Sequence, residues 1–419
     1  MNNLHSPFIP RLLEPVVDEA LRQFPVVVVT GATQTGKSTL VQNLPSAGTR
    51  VYLTLDDLDI LARAERFPEA LVEQADRMTL DEVQRAPEIL LAIKRAVDKD
   101  RRKGRFLLTG SANLLLMRKV SESLAGRAIY LTLLPMSARE KRGAPDSGPW
   151  SMLVTAKSIK ELGANVKVND GTKQDWAESA IIGGYPLVVL AESQTERTRW
   201  FEGYVKTYLE RDLQDVASIS ALVDFRRVMG LSALRLGQII NQSELARDAA
   251  LSQATVHRYL NLLEASYQIM RVPAFTRSRS KRLIKAPKLY WIDTGLAAFL
   301  LGIANRGELR SHNLAGALLE NLVYAQLLAW RETETPRPEI FYWRTASGAE
   351  VDFVVQSRQR LLPMEIKMAS RARVADIRSL ESFLDEYPEQ APIGLLFYGG
   401  DETIPLTPRI LAIPVRTIL

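Results

Sequence analysis

At 419 residues the chain is too long for one ordinary hydrophobic core, so two or three domains are expected. A 46% hydrophobic share with 24% charged residues describes a soluble globular chain, and the absence of cysteine excludes disulfides, thiolate catalysis and cysteine-ligated metal, while three histidines argue against a histidine metal cluster. The formal charge of +6 permits contact with nucleic acid without establishing it; no apolar run approaches a membrane span and the N-terminus lacks a secretory pattern, so a cytoplasmic site of action without membrane contact is expected.

The first element is a run of valines ending at Thr30, the composition of a buried parallel strand. It leads directly into Gly31, Ala32, Thr33, Gln34, Thr35, Gly36, Lys37, Ser38 and Thr39 and a helix-forming run. In that context the two glycines let successive amides curl around a phosphate at a helix N-terminus. ATP is the expected ligand of this cradle, with Lys37 reaching the β- and γ-phosphates and Ser38 holding Mg²⁺. A second carboxylate site follows at Asp81 and Glu82: Asp81 would support Mg²⁺ and Glu82 would polarise the attacking water. An exposed acidic turn is the plainer reading of the same pair.

After a helix over residues 87–99, an apolar strand ends at Gly110 with Ser111 and Asn113 beyond it. These two are assigned the γ-phosphate sensor role found in P-loop ATPases that insert a strand between the phosphate-loop strand and the acidic strand. Arg127 is the local candidate for a cation that stabilises transferred phosphoryl charge, within its own subunit or across an interface. A further strand and a basic stretch containing proline close a domain placed at residues 1–145.

Residues 146–230 read as a helical connector, broken at Gly183-Gly184-Tyr185-Pro186. Residues 231–290 carry a helix, a turn at Leu251-Ser252, a second helix and a β-like segment, the layout of a winged helix-turn-helix. Its second helix presents Gln253, Thr255, His257 and Arg258, for DNA contact or as a packing lid. Arg277, Arg279, Lys281, Arg282, Lys285 and Lys288 follow as a basic stripe suited either to phosphate contacts or to a loop between domains.

In residues 291–419 the signal is spaced carboxylates. Glu320 sits on a predicted helix over residues 314–330, and three predicted strands carry Asp352 on the second and Glu365 with Lys367 on the third. On adjacent strands Asp352 and Glu365 could converge on one divalent cation, Mg²⁺ or Mn²⁺, with Lys367 on the same face as Glu365. This arrangement resembles the PD-(D/E)XK nuclease core, with Glu320 as its helical acid. Half-buried strands with scattered charges are the alternative.

The phosphate loop, residues 80–84, 109–113, 124–127, 183–186, 208–212, 289–295, 343–345, 350–352 and 365–367, taken together in this order, resemble the prokaryotic AAA-type ATP-binding proteins with a C-terminal domain of unknown function related to restriction endonucleases. The resemblance implies an α/β chain: a P-loop NTPase of AAA type (ASCE) with a parallel sheet, a winged-helix middle and an α/β nuclease-like end. The function expected is a Mg²⁺-dependent ATP hydrolase that couples nucleotide state to DNA engagement, its C-terminal domain cleaving or gripping DNA. The alternative is a nucleotide-dependent signalling switch that recruits a protein partner, and a homo-oligomer is compatible with both. A metabolite kinase fits less well, because Asp81 beside Glu82 suits activation of water.

Overall fold

The computed structural model describes residues 8–110, 124–165, 175–209 and 222–419. Four valines and Thr30 form β1 (Val26–Thr30), buried along its whole length, as expected of β-branched residues in a parallel strand covered on both faces. It lies between β4 (Phe106–Thr109) and β5 (Ala128–Thr132), while β3 (Met78–Asp81) pairs with β4 and β2 (Val51–Thr54) closes the edge. The order is therefore β2-β3-β4-β1-β5 with every pairing parallel, and β4 is the inserted strand expected between the phosphate-loop strand and the acidic strand. Val27 and Val29 face a layer built on the helices Glu14–Gln23 and Lys37–Asn43. Val26 and Val28 face the layer containing Ile89–Lys99.

Beyond this sheet, the helices Trp176–Ile182, Gln194–Gly203, Leu222–Leu234, Gln242–Ala249, Gln253–Ala265 and Thr294–Leu300 share one core. Gln242–Ala249 and Gln253–Ala265 are joined by a tight turn, with Ala250 left-handed at φ 54° and the Ser252 hydroxyl accepting from the Thr255 amide at 3.1 Å. The antiparallel pair β6 (Ile269–Val272) and β7 (Lys288–Trp291) follows. The chain between them is stitched to the C-terminal region: Ala274 bridges Tyr342, the Phe275 amide donates to the Tyr342 carbonyl at 2.6 Å, and the Phe275 ring packs among Phe341, Phe383 and Tyr387.

The C-terminal sheet runs β12-β13-β11-β10-β9-β8, from β8 (Glu339–Arg344), β9 (Glu350–Ser357), β10 (Arg360–Lys367), β11 (Gly394–Tyr398), β12 (Ile404–Pro405) and β13 (Ile410–Pro414). The helix Ala315–Arg331 covers one face and Arg378–Glu386 the other. The first part of the stretch read as a connector also belongs to this body, since Trp150 in the helix Trp150–Thr155 packs on Trp330 and Phe397 at centroid distances of 6.4 and 5.7 Å. Among the described residues, no helix is long and apolar enough to cross a membrane.

The Gly183-Gly184 break is the seam between these bodies. The Gly184 carbonyl accepts from the Met136 amide at 2.7 Å, and its own amide donates to Asp293 Oδ2 at 2.6 Å. A Cβ on Gly184 would lie 2.3 Å from the Met136 carbonyl oxygen, so only glycine permits the approach. Lys141 Nζ donates to the Gly183 carbonyl at 2.9 Å, and burial pulls that ammonium down to about 8.

A buried ion pair straps the N-terminal segment to the same seam. Arg11 Nε donates to Glu140 Oε1 at 3.0 Å, and Glu140 also accepts from the Leu12 and Ser137 amides, both at 2.6 Å. Glu140→Ala would leave the Arg11 guanidinium buried without its counter-charge. The expected cost is about 3 kcal/mol, read as a lower urea midpoint of the full-length chain.

Candidate functional site

The phosphate loop takes its shape from three positive φ angles: Gly31 at 145°, Gln34 at 68° and Gly36 at 91°. A Cβ on Gly31 would sit 2.2 Å from the Leu133 carbonyl oxygen, so the chain leaving β5 presses on the start of the loop and admits only glycine there. Lys37 opens the helix and is buried, its Nζ donating to the carbonyls of Gly31 at 3.2 Å and Ala32 at 3.0 Å. The Thr35 hydroxyl also donates to Ala32 O at 2.9 Å. Arg11 holds the loop from outside, donating to Thr35 O at 2.8 Å and Leu134 O at 2.6 Å. Ser38 is half-buried in the first helical turn and Thr39 is exposed.

The helical body reaches this loop as well. The Tyr204 hydroxyl donates to Thr33 O at 3.4 Å, and the Tyr267 and Thr30 hydroxyls are 3.0 Å apart. Tyr204 is linked onward to the Tyr185 hydroxyl at 3.0 Å and to Gln268 at 3.2 Å. Neither Tyr204 nor Tyr267 was legible as a loop contact, because each lies far away in the chain and only packing brings it there.

Asp81 ends β3 with its carboxylate fully engaged. Oδ1 accepts from the Thr109 hydroxyl, and Oδ2 accepts from the Tyr52 hydroxyl at 2.7 Å. The Thr109 oxygen in turn accepts from the Glu82 amide at 3.2 Å, so one hydroxyl orients both acids. Glu82 sits at φ 57°, a left-handed conformation that a non-glycine residue holds only under local constraint. Its carboxylate accepts from the Gln84 side chain; burial raises its pKa, and the Lys37 ammonium opposes the rise. Thr109 and Tyr52 escaped the sequence reading. The available signal for Thr109 was its place as the last residue of the inserted strand.

Parallel pairing carries the ends of β1, β4 and β3 to one edge of the sheet, and Lys37, Ser38, Asp81, Glu82 and Thr109 gather there. The Ser38 hydroxyl and the Asp81 carboxylate are hard oxygen donors, a set that fits Mg²⁺ with its remaining positions kept by water and phosphate. The sensor residues Ser111 and Asn113 lie outside the described residues. Arg127 requires a correction. It precedes β5 at the edge where Ala128 pairs with Val26, roughly 16 Å of strand from Thr30, and it is held by Asp98 at 2.7 and 2.8 Å. The structure thus places it away from the phosphate loop of its own chain, at the opposite edge of the sheet.

In the C-terminal sheet, Asp352 on β9 and Glu365 on β10 face each other across the antiparallel pairing, and Glu320 approaches from the helix Ala315–Arg331. The cation among them is Lys288, which the sequence reading had placed in a stripe suited to phosphate contacts or to a loop between domains. Its Nζ lies 2.6 Å from Glu350, 3.2 Å from Glu320 and 3.7 Å from Asp352, and the residue is only 2% exposed. Glu320 Oε1 also accepts from the Tyr290 hydroxyl, Asp352 Oδ2 from the Ile366 amide at 2.8 Å, and Glu365 Oε1 from Lys367 at 2.5 Å. Burial, followed by the charge of Asp352, pushes Glu320 up to about 7 and Glu365 up to about 8; burial also raises Asp352. The divalent cation expected at Asp352 and Glu365 finds Lys288 already beside Asp352, and among the described residues no three His, Cys, Asp or Glu side chains are arranged to hold a metal ion.

Two further cations of the stripe, Arg277 and Arg282, are also engaged within the molecule. The Arg282 guanidinium stacks over Phe275 and Phe341 at 4.4 and 4.7 Å, and Arg277 lies 5.1 Å over Tyr387 while donating to Glu386 O at 2.6 Å. Lys285 is exposed; the side chains of Arg279 and Lys281 lie outside the described residues. On the second helix of the helix-turn-helix pair, Gln253, His257 and Arg258 are exposed and Thr255 is half-buried.

Three family models match successive parts of the chain. Residues 23–141 match an AAA domain, residues 173–307 a domain of unknown function (DUF8612), and residues 315–418 another (DUF4143). The uncharacterized protein Rv2008c of Mycobacterium tuberculosis is 30% identical over 400 residues, covering 96% of this chain and 82% of that protein. An uncharacterized protein of Haemophilus influenzae is 22% identical over 388 residues, covering 86% of this chain and 87% of that one. Among solved structures, the Walker-type ATPase PABY2304 of Pyrococcus abyssi is 13% identical with a TM-score of 0.43, covering 70% of this chain and 96% of that one.

The double duty of Thr109 can be measured. Thr109→Val keeps the side-chain shape but leaves Asp81 Oδ1 and the Glu82 amide without their partner, at an expected cost of about 1–3 kcal/mol. Urea denaturation should show the lower midpoint, and Thr109→Ser should restore most of it.

Proposed function

The chain belongs to the same family as protein Rv2008c of Mycobacterium tuberculosis, and from its AAA domain and site geometry we propose that it is a Mg²⁺-dependent ATP hydrolase whose nucleotide state is coupled to DNA engagement. The observation that carries the hydrolase reading is the meeting of Lys37, Asp81 and Glu82 at neighbouring ends of parallel strands. Mg²⁺ bound with the nucleotide would neutralise phosphate charge. The loop amides cradle the phosphates, and Lys37 turns from the carbonyls of Gly31 and Ala32 to the phosphate oxygens. Ser38 and Asp81 hold the ion, Asp81 being aligned by Tyr52 and Thr109. Glu82, raised by burial and close enough to feel Lys37, takes a proton from the attacking water.

Coupling is supported by the tyrosines. A change at Thr33 or Thr30 is felt at Tyr204 and Tyr267, hence at Gln268, whose carbonyl accepts from the Ile292 amide at 2.9 Å beside β7. Nucleotide can shift the helical body only if it binds two arrangements of that body unequally, and this shared network supplies a route for such a difference. The exposed Gln253, His257 and Arg258 support DNA as the partner read by a winged-helix surface. Capture of Arg277, Arg282 and Lys288 by the C-terminal domain favours the second reading, a switch that recruits a protein partner.

Lys37→Ala and Glu82→Gln should each lower ATP turnover by at least roughly a hundredfold, with nucleotide binding by calorimetry retained in Glu82→Gln. A Lys37→Ala protein with normal turnover would end the hydrolase reading. Glu82 must be ionised to accept a proton, so activity is present above its raised pKa and lost as pH falls through it. The acid limb of the turnover profile should therefore lie above the ordinary glutamate range and vanish in Glu82→Gln.

DNA engagement is tested by fluorescence anisotropy on duplex, branched and single-stranded DNA with ATP or ADP. Salt-sensitive binding that differs between the nucleotides and weakens roughly tenfold in Arg258→Glu is the expected result. No binding on any DNA, with a nucleotide-dependent change of shape in solution scattering, would favour the protein-recruiting switch.

A further inference from the structure

The carboxylates of the C-terminal sheet sit where a metal-dependent nuclease would need them, yet a lysine from outside that sheet reaches into their midst. Lys288 opens β7, which pairs with β6 of the helical body. Its side chain runs past the Tyr342 ring, 5.8 Å from the ring centroid, and ends among Glu320, Glu350 and Asp352. Two elements of the C-terminal body thus bring three carboxylates to one ammonium: the helix Ala315–Arg331 through Glu320, and β9 through Glu350 and Asp352.

A divalent cation bound by Asp352 and Glu320 would have to lie within a few ångströms of this ammonium. Two positive centres that close, both removed from water, repel strongly. Glu320 Oε1 is committed to Lys288 and Tyr290, and Asp352 Oδ2 to the Ile366 amide. Glu365 Oε2 is buried without a hydrogen-bond partner. It is one oxygen on an acid whose other oxygen is held by Lys367 at 2.5 Å.

We infer that Lys288 is a built-in replacement for the metal ion, so that the nuclease-like cluster takes no divalent cation and serves as an ion lock joining β7 to the C-terminal sheet. The lock has a mechanical consequence. Lys288 and Asp293 stand on one short stretch of chain, and Asp293 is hydrogen-bonded to Gly184 at the seam with the ATPase domain. Whatever moves that seam is therefore transmitted to the carboxylate cluster through a rigid, internally paired strand.

The test is a Mn²⁺ titration of the nucleotide-free, full-length protein followed by electron paramagnetic resonance, on the wild type, Asp352→Asn, Glu365→Gln, Lys288→Ala and the Lys288→Ala/Asp352→Asn double variant. Any weak site at the phosphate loop is common to all five and cancels. The expected result is equal Mn²⁺ uptake by the wild type, Asp352→Asn and Glu365→Gln, with about one further equivalent in Lys288→Ala that disappears in the double variant. A wild type that takes up one equivalent more than both Asp352→Asn and Glu365→Gln overturns the inference. So does a folded Lys288→Ala protein, checked by circular dichroism, that gains no Mn²⁺. Should Lys288→Ala fail to fold, the comparison of the wild type with the two carboxylate variants decides alone.

Discussion

Parallel pairing of β1 with β4, and of β4 with β3, is the constraint on which the nucleotide site depends. Parallel strands end on the same edge, so residues separated by dozens of positions in the chain arrive side by side without any local signal drawing them together. Once β4 is inserted, its terminal Thr109 must stand between the phosphate loop and the acidic strand. A hydroxyl there can donate to Asp81 and accept from the Glu82 amide at once, which aspartate at the end of a buried strand requires to keep its charge oriented. The left-handed backbone at Glu82 follows from the same demand, since it turns the second acid back toward the loop.

The site does not float on its own domain. Its loop is gripped on one side by Arg11, whose charge is buried with Glu140, and on another by tyrosines from the helical body. Buried charge pairs contribute little net stability, but they are costly to break and they fix geometry. Arg11 with Glu140, and Asp293 with the amides of Gly184 and Leu296, are such fixtures. Together they make the seam at Gly183-Gly184 a place where small displacements in the loop cannot be absorbed locally.

At the other end of the molecule, the same physics of buried charge leads to a different outcome. Four carboxylates drawn toward one region would repel one another; the fold answers with Lys288 and Lys367, while burial and the charge of Asp352 raise the pKa of Glu320 and Glu365. Arg277, Arg282 and Lys288 of the basic stretch are engaged by aromatic rings and carboxylates of the adjoining domain. Positive charge in a sequence marks a need for negative partners, and the partners can be internal.

Contiguous motifs with a periodic context were legible from the chain alone. The strand Val26–Thr30, the glycine turn, Lys37 and Ser38, the acidic end at Asp81 and Glu82, the helix-turn-helix pair and the strand carrying Asp352 are all written locally, because strand alternation, helix periodicity and turn chemistry act over a few residues. Tertiary structure alone decided that Thr109 and Tyr52 align Asp81, that Tyr204 and Tyr267 touch the loop, that Arg127 stands at the far edge with Asp98, and that Lys288 enters the carboxylate cluster. Each of these depends on where a side chain finds a partner once water is excluded, and that choice is made between residues distant in the chain by the packing of whole elements rather than by their neighbours in sequence.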